Sequence, residues 1–190
     1  MNIQYSSYFD CSVLDDLNIS YKKENSNITI TSTIIHTLPD FLKIYHNNKP
    51  NYELGIKALK DFCLQIKNFQ DRGFTFLNFD ESSIYVIDYT KFLILPHENF
   101  KLDIIDYHVD SNKLKVLLNN TPYIAPELLE IKHNIINIST CYYSIGLLLL
   151  KITFNNINTN NLNLIKYTQL YYSINRCLQI NPKHRYLVLV

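Results

Sequence analysis

Residues Tyr142–Ile152 (Tyr-Tyr-Ser-Ile-Gly-Leu-Leu-Leu-Leu-Lys-Ile) are the most apolar run in this chain. The run is well short of the ~20 residues that a helix needs to cross a bilayer. A helix that is apolar all round must instead be buried in a protein core. The sequence therefore predicts a central helix over Ser139–Phe154, with the other elements packed around it. A chain of 190 residues can supply such a shell within one domain. Hydrophobic residues at 47% and charged residues at 18% fit a packed chain rather than a disordered one.

Periodicity places the neighbours of that helix. Asn18–Tyr21 and Ile28–Ile34 alternate apolar and polar residues around Lys22–Asn27, which reads as a β-hairpin with Lys22 and Lys23 in its turn. Thr37–Tyr45 reads as a short helix, with Pro39 in its first turn and Asp40 near its positive end. Tyr52–Gln70 is a long amphipathic helix with Leu54, Ala58, Cys63, Ile66 and Phe69 on one side, ended by Gly73. Ser83–Asp88 and Lys91–Pro96 are two short strands. Residues 97–124 are a long connection without a clear pattern. Asn155–Asn163 is an Asn-rich loop, Leu164–Ile180 is a final helix pair or a single long helix, and Tyr186–Val190 is an apolar tail.

Several function classes are disfavoured by composition. The formal net charge is +1, and no basic run marks a groove for nucleic acid or acidic lipid. Cys11, Cys63, Cys141 and Cys177 are far apart in sequence and form no CxxC pair, so reduced thiols in a cytoplasmic setting are expected, without a zinc site. The six histidines show no pairing at helical spacing. The start of the chain lacks a basic and an apolar region, so no signal peptide is expected. The abundance of Asn and Ile reads as an A/T-rich coding bias.

Three short segments carry a resemblance. Ile124-Ala-Pro-Glu-Leu128 is similar to the Ala-Pro-Glu motif that closes the activation segment of protein kinases. Cys141–Leu147 resembles the start of their F helix, usually Asp-Val-Trp-Ser-Leu-Gly. Cys177-Leu-Gln-Ile-Asn-Pro-Lys-His-Arg185 resembles their Cys-Leu-x-x-Asp-Pro-x-x-Arg turn. The three occur in the family's order, across roughly residues 18–185, and look closest to the short kinase-like proteins of large DNA viruses. The fold implied is α+β and mostly α-helical: protein-kinase C-lobe-like, with a remnant β-hairpin of the N-lobe. Residues 1–36 would be the remnant N-lobe β segment and 37–190 the helical domain. The resemblance also implies a buried ion pair between Glu127 and Arg185 that ties the activation segment to the last turn.

The same resemblance shows what is missing. Phosphoryl transfer needs positioned phosphates, magnesium ligands and a base. No GxGxxG occurs in the chain. Arg72–Val86 aligns with the kinase catalytic loop, but His-Arg-Asp becomes Phe76-Leu77-Asn78. The base position is Asn78, an amide that cannot take a proton at neutral pH. The Lys position is Asp80, and the magnesium-ligand Asn is Ser83. The Asp-Phe-Gly turn would fall near Leu95-Pro-His97, without a carboxylate. The F-helix Asp that braces the loop is Cys141. A rival alignment makes Asp71 the base and Asp88 the metal ligand, but Asp88-Tyr-Thr also reads as a hairpin turn.

These degenerate positions imply a pseudokinase that acts as a protein-binding or regulatory module, using the face formed by residues 97–124. No cofactor is expected, neither ATP nor magnesium. The expected partner is a protein, such as a kinase or a kinase substrate, with no nucleic acid and no membrane. Two other readings stand beside it. One is a residual ATP-binding phosphotransferase. The other is an assembly protein that reuses the helical lobe and self-associates through an apolar face near Thr29–Leu42.

Overall fold

A computed structural model of the chain describes residues 11–24, 27–45, 49–72, 74–75, 80–95, 102–103, 107–108, 122–129, 135–136 and 139–187. The architecture is α+β. Helix α1 (Ser12–Asp16) leads into a hairpin of β1 (Tyr21–Glu24) and β2 (Asn27–Ile30). Strand β3 (Ile35–Thr37) runs straight into helix α2 (Leu38–Tyr45), and the long helix α3 (Tyr52–Asp71) follows. Next come β4 (Phe74–Thr75), β5 (Ile84–Ile87), β6 (Lys91–Ile94), β7 (Leu102–Asp103), β8 (Tyr107–His108) and β9 (Ile135–Ile136). The described chain closes with helices α4 (Thr140–Phe154) and α5 (Gln169–Cys177).

The apolar helix is where the sequence puts it. In α4, Cys141, Ile145, Leu147–Leu150, Ile152 and Phe154 are all buried. Asn155 stops the helix in the left-handed region at φ 56°, a conformation Asn tolerates better than most residues. Helix α3 packs across α4 with Leu54, Ala58, Phe62, Ile66 and Phe69 turned inward. Asn51 starts α3 by accepting the Leu54 N–H at 3.0 Å, which satisfies one orphan donor of the first turn.

Strands β3, β5 and β6 form an antiparallel sheet in that order, with His36 opposite Val86 and Val86 opposite Phe92. Strand β6 is one of the two edges, and an open edge exposes unpaired backbone groups. Helix α3 closes it. Asp61 Oδ2 accepts from Phe92 N–H at 2.7 Å, Gln65 Nε2 donates to Phe92 O at 2.7 Å, and Ile94 N–H donates to Gln65 Oε1 at 2.8 Å. One turn of helix thus replaces a fourth strand.

The N-terminal elements belong to the same core. Val13, Leu14, Leu17, Ile19, Ile28 and Ile30 are buried in one cluster with Ala58, Phe62, Leu148 and Ile174. The boundary expected at residues 36/37 falls inside β3, and β3 itself pairs with β5.

Four local expectations are corrected. Lys22 and Lys23 lie in strand β1, not in the hairpin turn, and are exposed; they pair with Thr29 and Ile28, and the pairing runs on to Glu24 opposite Asn27. Asn155–Asn163 is not all loop, because a 3-10 helix begins at Thr159 and runs to Ile165, capped by the Asn158 side chain. A single long helix over Leu164–Ile180 is not formed: the 3-10 helix ends at Ile165, and α5 runs from Gln169 to Cys177 with Thr168 capping its first turn. Near Thr29–Leu42, where an open apolar face was expected, Ile30, Leu38, Phe41 and Leu42 are buried within the chain, and Ile34 and Ile35 are half-buried. Gly73 lies outside the described residues, and α3 ends at Asp71 with Arg72 as its cap.

Candidate functional site

Three segments far apart in sequence meet beside the start of α4. The first is the 3-10 turn Glu81–Ser83, the second is Tyr123–Leu129, and the third is the turn Gln179–Arg185. Pro126 opens a short 3-10 helix (Pro126–Leu128) that sets Glu127 toward α4. Asn181 caps the 3-10 turn Pro182–His184 by accepting the Lys183 N–H at 3.0 Å. Both prolines stand at the first helical position, where a missing N–H costs nothing.

Arg185 and Glu127 form a forked pair. Arg185 Nη1 donates to Glu127 Oε1 at 2.6 Å, and Nη2 donates to Oε2 at 2.8 Å. Thr140 Oγ1, at the first residue of α4, also donates to Glu127 Oε1 at 2.9 Å. Arg185 further donates from Nε to Gln179 O and from Nη2 to Ile180 O. Its guanidinium lies 4.9 Å from the Tyr143 ring centroid. Arg185 is 4% exposed. A planar guanidinium matches a carboxylate in two parallel bonds, and stacking on a ring covers the face that those bonds leave bare.

A second brace lies beside the first. Tyr123 is fully buried, and its hydroxyl donates to Glu81 Oε1 at 2.5 Å. Ser144 Oγ donates to Tyr123 O at 2.6 Å. Burial, and then the adjacent Glu81 carboxylate, push the Tyr123 phenol far above its usual value, so it stays a donor. Gln70 of α3 donates to Tyr142 Oη at 2.9 Å. The polar atoms of this junction thus serve one another across elements.

The degenerate catalytic positions fall as follows. Asn78, with Phe76 and Leu77, lies outside the described residues, as do Pro96 and His97 of the expected Asp-Phe-Gly site. Asp80 caps the 3-10 turn: Oδ1 accepts from Ser82 N–H at 3.0 Å and Oδ2 from Ser82 Oγ at 2.7 Å. Ser83 is buried and its hydroxyl donates to Asp80 O at 2.7 Å. Cys141 is buried in α4. Burial pushes the thiol of Cys63 up to about 12, and that of Cys177 higher still with Cys63 and Cys141 close by. These thiols stay protonated, and a thiol is a weak nucleophile compared with its thiolate. Of residues 97–124, only 102–103, 107–108 and 122–124 are described.

In the rival alignment, Asp88 would hold magnesium. It sits instead in the β5–β6 turn at φ 48°, followed by Tyr89 at φ 61°, and accepts a hydrogen bond from Ser32 Oγ at 2.6 Å. Among the described residues no group of three or more His, Cys, Asp or Glu side chains could hold a metal ion, and no helix is long and apolar enough to cross a membrane.

Sequence reasoning missed Tyr123, Glu81, Thr140 and Ser144 as members of the junction. Their signal was adjacency: Tyr123 sits two residues before Ala125, and Thr140 and Ser144 flank Cys141 at helical spacing.

No model of a known protein family matches this chain, and no curated protein matches it.

Proposed function

We propose that the chain is a protein-kinase-like binding module without phosphotransfer activity. The observation that carries this reading is the forked Glu127–Arg185 pair. It joins the Ala-Pro-Glu turn to the Asn-Pro-Lys-His-Arg turn, the two segments on which the kinase resemblance is strongest. Asp80 and Ser83 add to it, since their side chains are committed to a local turn instead of an open position for nucleotide phosphates. On this reading a protein partner, a kinase or a kinase substrate, engages residues 97–124.

Thermal unfolding in the presence of ATP or ADP, with and without magnesium, tests it. A ligand that binds the native state raises the melting temperature by mass action. The expected response is flat. A dose-dependent rise that needs magnesium and disappears in Asp88→Ala would replace this reading with a residual nucleotide-binding enzyme.

A further inference from the structure

The net charge of +1 hides a division along the chain. All 17 Asp and Glu residues lie within residues 1–130, and residues 131–190 contain none. That last third carries Lys132, Lys151, Lys166, Arg176, Lys183 and Arg185. Charge asymmetry between the parts of a chain is a pointer to a polyanionic partner. Arg185 is neutralised by Glu127. Lys166, Arg176 and Lys183 are exposed, and among the described residues none of them pairs with a carboxylate.

Large aromatic side chains stand exposed beside those cations. Tyr167 is 76% exposed, Tyr172 53% and Tyr186 47%. Lys166 Nζ lies 5.2 Å from the Tyr167 ring centroid, and the Arg176 guanidinium lies 5.0 Å from that of Tyr186. Tyr172 and Arg176 are four residues apart on α5, so they are neighbours on one helical face. The opposite face, Leu170, Ser173, Ile174 and Cys177, is buried. Lys183 extends the positive charge just beyond the end of α5. One end of the helix therefore presents a Lys–Tyr pair, and the other an Arg–Tyr pair with a Tyr beside it. The nine residues of α5 span about 14 Å.

We infer that this face of α5 and its two flanking turns binds single-stranded nucleic acid. Exposed rings offer stacking surfaces to unpaired bases, and adjacent cations meet the phosphates without reading sequence. A duplex keeps its bases stacked on each other and leaves the rings unused. An anionic bilayer would also attract the charge, and Leu164 and Ile180 are exposed in the flanking turns, but three exposed phenols with cations beside them suit planar bases better than acyl chains.

Fluorescence anisotropy with labelled single-stranded oligo(dT) and oligo(U) of about 20 nucleotides tests the inference, against a duplex of equal length. The single strands should bind more tightly than the duplex, with affinity falling as salt rises. Tyr172→Ala should weaken binding by about fivefold or more, Tyr172→Phe should retain it, and Arg176→Glu with Lys183→Glu should weaken it by about tenfold or more. Tyr172, Arg176 and Lys183 are exposed, and an unchanged melting temperature in each variant separates lost binding from lost folding. The inference is overturned by no binding to either oligonucleotide, by equal affinity for duplex, or by unchanged binding in Tyr172→Ala. It is also overturned if the chain sediments with phosphatidylserine vesicles, loses that in the charge variants, and ignores the oligonucleotides.

Discussion

Asp61 is a carboxylate placed where an acid is costly. It lies on the inward side of α3, and its task is to accept the Phe92 N–H at the edge of the sheet. Desolvation raises its pKa from 3.8 to about 6, against the smaller lowering effects of that N–H and of Lys91. An acid with a raised folded-state pKa favours folding in its protonated form. Its contribution is therefore fully present below pH 4 and is lost as the pH rises through 6. Asp61→Asn keeps an oxygen for Phe92 N–H and removes the charge. At pH 7.5 the variant should be more stable by up to about 3 kcal/mol, and the gain should shrink to nothing below pH 4. Urea unfolding at a series of pH values checks this, and a pH-independent difference would refute the assignment. The periodicity that placed Leu54, Ala58, Cys63, Ile66 and Phe69 on one side of this helix did not single out Asp61 or Gln65, polar residues four apart that need partners when buried. Which partners they meet was not legible, because Phe92 and Ile94 lie 27 to 31 residues further along the chain.

At the scale of elements, the tightest requirements lie where helices and turns converge on α4. Gly146 has no Cβ, and one built there would stand 2.8 Å from Cys177 Cβ and 2.9 Å from Leu178 Cδ2. The Cys177 atom is fixed to the backbone of α5 and cannot move aside alone. Gly146→Ala should therefore destabilise the chain by about 1–3 kcal/mol through overpacking, despite alanine's better helix propensity. Chemical denaturation measures the sum, and a stabilised variant would mean that α5 shifts freely. The forked pair is the second requirement. Arg185 is buried and Glu127 half-buried, so Arg185→Ala strands a carboxylate that water partly reaches and should cost about 2–3 kcal/mol, below the roughly 3–5 kcal/mol of a fully buried pair. The double variant with Glu127→Ala should cost less than the sum of the singles, because the stranded charge has gone. Additive losses would show that the two side chains do not act together. The pair was expected only through the resemblance of its two turns to kinase motifs. Its support was not: Thr140, Gln179 and Ile180 supply contacts that depend on how the last turn folds back over α4.

At the scale of the whole molecule, the central apolar helix was legible because a run so short and so apolar has one stable environment. The role of the first residues was harder to read. Their alternation predicts a hairpin but does not say what the hairpin packs against, since a strand's buried face is completed by distant segments. The described residues place Val13, Leu14, Leu17, Ile19, Ile28 and Ile30 in the same cluster as α3 and α4. Strand β3, ending at Thr37, forms the side of the main sheet away from β6. A chain beginning at residue 37 would lose six buried apolar side chains and most of that strand. Each fully buried aliphatic side chain contributes about 1.5–3 kcal/mol, so the loss is on the order of 10 kcal/mol even before the strand is counted. Domains of this size hold only about 5–15 kcal/mol in total. The shortened chain should therefore fail to unfold cooperatively, with weak protection of α3 amides in hydrogen exchange. The full chain should show one transition, with β1–β2 and α3 losing structure together. If the 37–190 chain instead melts in a sharp transition near the temperature of the full chain, the N-terminal hairpin is an appendage and the core is complete without it.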